Sequence, residues 1–301
     1  MRIVSLLPSA TEIVCALGLT DALVGVSHDC DYPPEIRGKP VLSEAVVTPD
    51  LTSPAVDAQI RGHLHTGKSV YHLDGAELAR LRPDLILTQE LCAVCAPSYT
   101  LVTQAARMLD AETRIVSLEP HGLFDILENI VLVGELTGRQ AEARALAGAL
   151  RARIERVRER VAGRSVVRAA CLEWLDPIYA AGHWIPEMVA VAGGRDVLGR
   201  PRAPSFVVEW ETVRAAAPDE IVLRPCGFDV ARTRAEIRLL TARDGCADLV
   251  AVRAGRVYLT DGSSYFSRPG PRIVDGVAIL AAALHPEVFG HSIAPDMLDH
   301  L

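Results

Sequence analysis

The sequence has little of several features that would point to a particular class of protein. Aromatic residues make up only 5% of the chain, and the basic residues are almost all arginine. No uncharged apolar run reaches the roughly 18 residues that a membrane-spanning helix needs. The formal net charge is −7, whereas nucleic-acid binders need a basic face. We therefore expect neither a membrane-spanning protein nor a nucleic-acid partner.

Cysteine usage and the N-terminus bear on location. The seven cysteines are an odd number, and only Cys92 and Cys95 lie close together, which suits a reducing compartment better than a disulfide framework. The opening "MRIVSLLPSATE" enters an apolar run at once and leaves no room for a signal peptide. These features predict a cytoplasmic protein, or a periplasmic or cell-surface one if a leader has been removed.

Motifs of the common enzyme classes are missing. The chain has no G-x-S-x-G, no P-loop and no G-x-G-x-x-G. Its carboxylates show no pairing at a diagnostic spacing. We therefore predict a protein that is not an enzyme and has neither catalytic residues nor a catalytic cofactor.

What is present indicates an ordered α/β protein. Half of the 301 residues are hydrophobic, enough for sizeable cores, and short β-rich runs alternate with helical patterns, as in parallel sheets. "RIVSLL" is the first strand. Ser9 and Glu12 then form a capping box for a helix to about Leu17, and Gly18 ends that helix.

A pseudo-repeat predicts two lobes. "ELARLRPDLILT" and "TVRAAAPDEIVLR" share a short helix, Pro-Asp and a strand, so that Pro83 corresponds to Pro218 and Asp84 to Asp219. Between them, apolar residues at helical spacing run from Leu123 to Val161, although Thr137 and Gly138 could break the helix. We predict two Rossmann-like lobes with parallel sheets, residues 1–121 and 162–301. A long helix, residues 122–161, joins them, and a ligand cleft lies between them.

Ligands of parallel α/β sheets bind beyond the carboxyl ends of the strands. Several polar or aromatic segments follow predicted strands and could border one cleft. They contain the candidate ligand contacts His28, Asp29, Cys30, Glu90, Cys92, Cys95, His183, Trp184, Tyr265, Phe266 and Arg268. The loop "SSYFSRPGPR" is rich in Gly and Pro, and such loops often carry function. Trp184 is either a core residue or a flat surface for a large ligand.

Three interpretations of the C-x-x-C motif in "LTQELCAVCAPSY" are open. The thiols are structural or line the cleft, or they coordinate a metal or a ligand, or they form a redox pair. A zinc site needs two more ligands, and His28 and Cys30 could supply them if the two strand-exit loops lie side by side. Cys92, Cys95, His28 and Cys30 are therefore the candidate metal ligands.

The chain resembles the helical-backbone class (class III) of ABC-transporter substrate-binding proteins, and its cobalamin-binding members in particular. The similar pieces run in order along nearly the whole length. They are "RIVSLLPSATEIVCALGLTDALVGVSHDCDYPPE", "LARLRPDLILT", "VAVAGGRDVLG", "WETVRAAAPDEIVL", "GRVYLTDG" and "SRPGPRIVDGVAIL". The resemblance implies two lobes joined by one long helix, with the ligand between them.

Roles also follow from the resemblance. It implies that Pro8 and Ser9 contact the ligand from the first lobe, and that the second lobe adds Trp174, Tyr179 and the Tyr265-Phe266-x-Arg268 loop. Members of the class dock on a permease through one glutamate per lobe. Glu211 is in register for this role, whereas the first-lobe register gives Ala76, with Glu77 one place off.

The chain also departs from the class. His28 stands where an aromatic is expected, and Asp29 where the cobalamin binders carry Tyr. An extra stretch runs from about Ala45 to His72, and the C-x-x-C is not part of the usual pattern. We predict a monomeric binding protein for cobalamin or a related corrinoid or metal complex, with an ABC permease as the candidate partner. The alternative is an intracellular protein that binds zinc, iron or haem through His28, Cys30, Cys92 and Cys95.

Overall fold

The computed structural model describes residues 1–48, 51–66, 69–90, 102–103, 113–290 and 293–301. The chain divides into two compact units. Unit 1 comprises Met1–Leu51, Ala55–Pro120 and Ile126–Ala147, and unit 2 comprises Thr52–Pro54, His121–Asp125 and Gly148–Leu301. Among the described residues, no helix is both long and apolar enough to cross a membrane.

Unit 1 is built on a four-stranded parallel sheet, in the order β2-β1-β5-β6. Its strands are β1 (Ile3–Ser5), β2 (Leu23–Val26), β5 (Leu85–Thr88) and β6 (Arg114–Ser117). Every residue of β1 and β5 is buried, as expected for strands covered on both faces. A separate antiparallel pair consists of β3 (Ser43–Ala45) and β4 (Tyr71–Leu73). The prediction of a parallel sheet is confirmed here.

The helices that begin in unit 1 differ in one detail from prediction. Those whose bounds lie within the described residues are α1 (Pro8–Ala16) and α3 (Gly75–Leu81), with 3-10 turns at Thr20–Ala22 and Pro34–Ile36. Helix α2 (Ser53–His65) has its first residues in unit 2. The predicted capping box is wrong, because α1 starts at Pro8 with Leu7 as its N-cap, so Ser9 already lies in the first turn. Proline is favoured at a first helical position. Gly18 follows the helix end with φ 73°, as predicted.

The stretch predicted as the long connecting helix forms two consecutive helices, α4 (Leu123–Thr137) and α5 (Gln140–Val161). They are separated at Gly138, whose φ of 72° is left-handed and is readily adopted by glycine. The two helices pack closely at Gly134, where an added Cβ would lie 2.3 Å from the Cβ of Ala143.

Unit 2 contains a seven-stranded mixed sheet in the order β10-β8-β7-β11-β12-β13, with β9 also paired to β7. The strands are β7 (Val167–Leu175), β8 (Ile178–Ala180), β9 (Gly194–Asp196), β10 (Phe206–Val207), β11 (Glu220–Leu223), β12 (Val257–Thr260) and β13 (Leu298–His300). Strands β7, β9, β11 and β12 are parallel, as predicted. Strands β8, β10 and β13 pair antiparallel. For β8 the cause is local, because only Asp176 and Pro177 separate it from β7, and so short a connection allows only an antiparallel hairpin.

The helices of unit 2 cover this sheet. They are α6 (Ile185–Val191), α7 (Trp210–Ala216), α8 (Val230–Ala235), α9 (Arg238–Thr241), α10 (Val250–Arg253), α11 (Gly262–Tyr265), α12 (Ile273–Leu284) and α13 (Pro286–Phe289), with a 3-10 turn at Cys246–Asp248. Helix α12 is apolar on nearly all sides and almost entirely buried, as expected of a core helix.

The pseudo-repeat is visible in individual backbone angles and hydrogen bonds. Helix α3 is followed by Arg82 with φ 44°, and α7 by Ala217 with φ 42°. The backbone N–H of Arg2 donates to the Asp84 carboxylate at 2.6 Å, and that of Arg168 to Asp219 at 3.2 Å. Each arginine side chain also donates to the last carbonyl of the neighbouring helix, α3 or α7, at 2.7 and 2.6 Å. The two units therefore repeat one helix–strand design.

Candidate functional site

The carboxyl ends of β1 and β2 hold the first group of predicted residues, all in unit 1. Pro8 and Ser9 open α1 directly after β1; Pro8 is half-buried and Ser9 is buried. His28, Asp29 and Cys30 follow β2. The parallel register Val4↔Gly25 and Ser5↔Val26 brings the two strand ends side by side, so these residues share one edge of the sheet.

His28 is held in one orientation by its neighbours. Its Nδ1 lies 2.9 Å from the Ser43 hydroxyl, and its ring centroid lies 5.5 Å from that of Tyr71. Its Nε2 lies 3.5 Å from a carboxylate oxygen of Asp29. The residues of the β3–β4 pair therefore position the imidazole.

Cys30 belongs to a chain of hydroxyl groups. Its Sγ lies 3.1 Å from the Thr11 hydroxyl and 3.2 Å from that of Ser27. Thr11 donates onward to Ser5, which donates to the Leu7 carbonyl. Through these hydrogen bonds, the Cys30 thiol connects the loop after β2 with α1 and β1.

The other two predicted metal ligands, Cys92 and Cys95, lie outside the described residues. Glu90, a predicted ligand contact, is described; it lies shortly after β5 and is exposed. Within the described ranges, no group of three or more His, Cys, Asp or Glu side chains is placed to hold a metal ion.

In unit 2, two half-buried aromatic residues predicted from the resemblance lie side by side. Trp174 on β7 pairs directly with Tyr179 on β8, so their side chains share one face of the sheet. The Trp174 ring also lies 5.1 Å from that of Phe228. Its indole N–H donates to the Ser53 carbonyl of the same unit at 3.2 Å.

An ion pair that the sequence reading missed lies next to Trp174. The guanidinium of Arg224, just after β11, donates to the Glu173 carboxylate at 2.6 Å. The Arg224 side chain is 2% exposed and that of Glu173 is 21% exposed. One feature of the sequence could have revealed this pair: an arginine directly follows the buried strand "EIVL". A buried charged side chain needs a partner of opposite charge.

His183 follows β8 and takes a left-handed φ of 50°. Its backbone N–H donates to the Ala203 carbonyl at 2.6 Å. Its Nδ1 is buried without a hydrogen-bond partner among the residues described. Burial lowers the pKa of His183, Glu173 opposes that shift, and His121 and Arg224 add to it. The imidazole is therefore neutral at neutral pH.

Two predicted ligand contacts are packing residues in this structure. Phe266 is 0% exposed, and Trp184 is nearly as buried. The Trp184 indole N–H donates to the Phe266 carbonyl at 2.9 Å. The expected ligand-facing position of Phe266 is therefore not observed, because its ring fills the core of unit 2. Trp184 takes the core position that the sequence left open.

The other members of that loop remain accessible. Tyr265 is half-buried at the end of α11, with the Arg272 guanidinium 5.7 Å from its ring centroid. Burial raises the pKa of Tyr265. Arg268 is half-buried, and its guanidinium lies 3.4 Å from the Ser263 hydroxyl.

The predicted docking glutamates lie on the equivalent helices α3 and α7. Glu77 binds Arg80, with a shortest distance of 2.5 Å, and Glu211 binds Arg214 at 3.1 Å. The hydrogen bond from Arg80 lowers the pKa of Glu77. The two helices end in register, so Glu77 stands one residue beyond the position of Glu211, a rotation of about 100° around the helix axis.

This fold defines a class of proteins that bind a solute. A family model described as periplasmic binding protein matches residues 3–263, and the chain belongs to that family. The resemblance inferred from the motifs is confirmed. Members of the family are solute-binding proteins, not enzymes, as predicted.

Curated relatives and a solved structure agree on this class. An ABC transporter substrate-binding lipoprotein of Bacillus subtilis is 25% identical, over 96% of this chain and 81% of the relative. The vitamin B12-binding protein of Vibrio cholerae is 25% identical, over 92% of this chain and 86% of the relative. A periplasmic heme binding protein from Pseudomonas aeruginosa has the same fold, with a TM-score of 0.73, 20% identity and coverage of 99% and 97%.

The chain is therefore a substrate-binding protein of the ABC-transporter type. This class implies a small-molecule ligand and a permease partner. One relative is named a lipoprotein, and the family is described as periplasmic. The expectation of a cytoplasmic protein therefore finds no support in these comparisons.

Proposed function

We propose that this protein binds cobalamin or a closely related corrinoid and delivers it to an ABC permease. The observation that carries the proposal is the match to the Vibrio vitamin B12-binding protein over 92% of this chain.

The aromatic surface of unit 2 supports a large, flat ligand. Trp174 and Tyr179 are neighbours on one face, and both are half-buried. Burying apolar surface contributes roughly 25 cal/mol per Å² before association costs. Two adjacent rings with exposed area therefore suit a macrocycle better than a small hydrophilic solute.

Calorimetry on the purified protein tests the ligand class. We expect binding of cyanocobalamin and cobinamide, with a change in the visible spectrum of the corrinoid. Clear binding of haem together with no heat from either corrinoid would overturn the corrinoid assignment.

The metal alternative has a separate test. His28 and Cys30 share one edge of the unit 1 sheet, so a zinc or iron site completed by Cys92 and Cys95 remains a second candidate. Elemental analysis of freshly purified protein distinguishes the two proposals. Stoichiometric metal without an organic chromophore favours the metal site, and a corrinoid chromophore favours the first proposal.

Replacement of Trp174 by alanine tests the aromatic surface. We expect Trp174→Ala to weaken corrinoid binding about thirty-fold, because a buried aromatic contact typically contributes about 2 kcal/mol. The matched control is Trp210→Ala in α7, whose indole N–H donates to the Asp244 carbonyl and which has no predicted ligand role. Equal affinity losses in both variants would contradict a direct role for Trp174.

Charge reversal at Glu211 tests permease docking. Glu211 is 76% exposed, so its replacement leaves the core intact. In cells that depend on this protein, we expect Glu211→Arg to lower corrinoid uptake about tenfold, a loss of about 1.4 kcal/mol in docking, with unchanged affinity for the ligand. Glu159→Arg, on an exposed position of α5, should leave uptake unchanged. Normal uptake by the Glu211 variant would exclude a docking role.

A further inference from the structure

We propose that Glu173, held in place by Arg224, accepts hydrogen bonds from a neutral donor group of the ligand and selects primary carboxamides over carboxylates. The inference rests on the proposed function, since it specifies the ligand chemistry of the same site. The proposal assigns roles to Glu173 and Arg224, and neither residue belongs to the motifs on which the resemblance was based.

The pair lies where the strands of unit 2 end. Leu172 of β7 is in register with Leu223 of β11, and the Arg224 N–H donates to the Leu172 carbonyl at 3.0 Å. Glu173, near the end of β7, and Arg224, directly after β11, therefore lie side by side at the carboxyl ends of adjacent parallel strands. Carboxyl ends of parallel strands are the usual ligand-binding edge, and Trp174 is the next residue along β7.

The two residues of the pair differ in burial. Arg224 is 2% exposed and Glu173 is 21% exposed, so the cation faces the core and the carboxylate retains access to solvent. The Nε of Arg224 has no hydrogen-bond partner among the described residues. A buried cation needs its carboxylate partner, so Arg224 is a positioning residue that fixes Glu173, and Glu173 is the group that a ligand can reach.

His183 completes the polar surroundings. The charges of Glu173 and Arg224 both act on the pKa of its imidazole, and its buried Nδ1 has no partner within the part of the chain described. As a neutral imidazole it offers one N–H donor and one acceptor. The cluster thus presents an acceptor at Glu173 and a donor or acceptor at His183, without net charge.

A primary carboxamide complements this arrangement, because its N–H groups donate to Glu173 and its carbonyl accepts from an imidazole N–H. A carboxylate has no hydrogen to donate, and its charge is repelled by Glu173, which is the solvent-accessible member of the pair, whereas the Arg224 cation is buried. Corrinoids such as cobinamide carry primary carboxamides around the ring, whereas haem carries propionate carboxylates. The pair would therefore favour the corrinoid.

Four probes measure this preference by calorimetry. Cobinamide is compared with cobyrinic acid, in which carboxylates replace the amides, and the bis-amide of haem is compared with haem. We expect the wild type to prefer the amide form by at least about tenfold. In Glu173→Gln, which keeps the shape and removes the charge, the ratio should fall to about twofold or less. Glu155→Gln, which removes another arginine-paired carboxylate, should keep the wild-type ratio.

The outcomes separate the two proposals. Binding of the porphyrin probes alone contradicts the corrinoid function, and the amide preference is then measured on haem and its bis-amide. An unchanged ratio in Glu173→Gln, or a wild-type preference for carboxylates, overturns the inference, and binding of none of the four probes overturns both. If Glu173→Gln fails to fold with Arg224 unpaired, Glu173→Gln/Arg224→Met removes both charges and carries the same expectation.

Discussion

Replacement of Glu220 by glutamine is expected to raise the free energy of unfolding by about 3 kcal/mol at about pH 8. Glu220 is the first residue of β11 and is 3% exposed. Its Oε2 has no hydrogen-bond partner among the described residues. Burial raises its pKa from 4.5 to about 7; Arg256 opposes the shift, and Asp219 and Glu287 add to it.

The sign of the pH dependence follows from this raised pKa. Below 4.5 the carboxyl is protonated in both the folded and the unfolded chain, and the two states do not differ. Between 4.5 and about 7 the unfolded chain releases the proton while the folded chain retains it, so stability falls as the pH rises. Above about pH 7 a buried charge persists and the loss is complete. Glutamine avoids that charge.

Urea unfolding of the wild type and the variant, at about pH 5 and about pH 8, measures the effect. The stability gain should be large at the higher pH and small at the lower one. Glu211→Gln is the control, because Glu211 is 76% exposed and its loss should shift neither value appreciably. Parallel pH profiles for wild type and Glu220→Gln would show that the carboxyl is already ionised without penalty in the folded protein.

The repeated design could be read from the sequence because it rests on local rules. Pro83 and Pro218 end their helices, and the short apolar runs that follow are typical of buried strands. The structure confirms both copies, including the left-handed residue before each proline. Gly18 and Gly138 were recognisable as helix ends because glycine readily adopts positive φ.

One of the features that were missed is local, and the others depend on contacts between residues distant in the sequence. Ser9 and Glu12 have the spacing of a capping box, but proline at the first helical position decided where α1 begins. The pairing of Arg224 with Glu173 joins two strands, and no spacing in the sequence reveals it. The antiparallel edge strands β10 and β13 join the sheet from distant parts of the chain, which the alternation of strands and helices does not encode.

Burial of Phe266 was equally hidden, because the loop around it is rich in glycine and polar residues. We expect Phe266→Ala to lower the free energy of unfolding by about 4 kcal/mol, the usual cost of a cavity left by a buried phenylalanine. The ring is 0% exposed, so no solvent-facing rearrangement can fill the space. Urea unfolding at neutral pH measures the loss.

Two comparison variants separate packing from ligand contact. Phe266→Leu retains most of the volume and should cost about 1 kcal/mol, with ligand affinity close to that of the wild type. Phe289→Ala removes a partly exposed aromatic of the same unit, whose ring lies 4.0 Å from the Arg160 guanidinium, and should cost much less than Phe266→Ala. If Phe266→Ala kept wild-type stability but lost ligand affinity, the ring would have to turn towards the ligand on binding. The packing role would then be wrong.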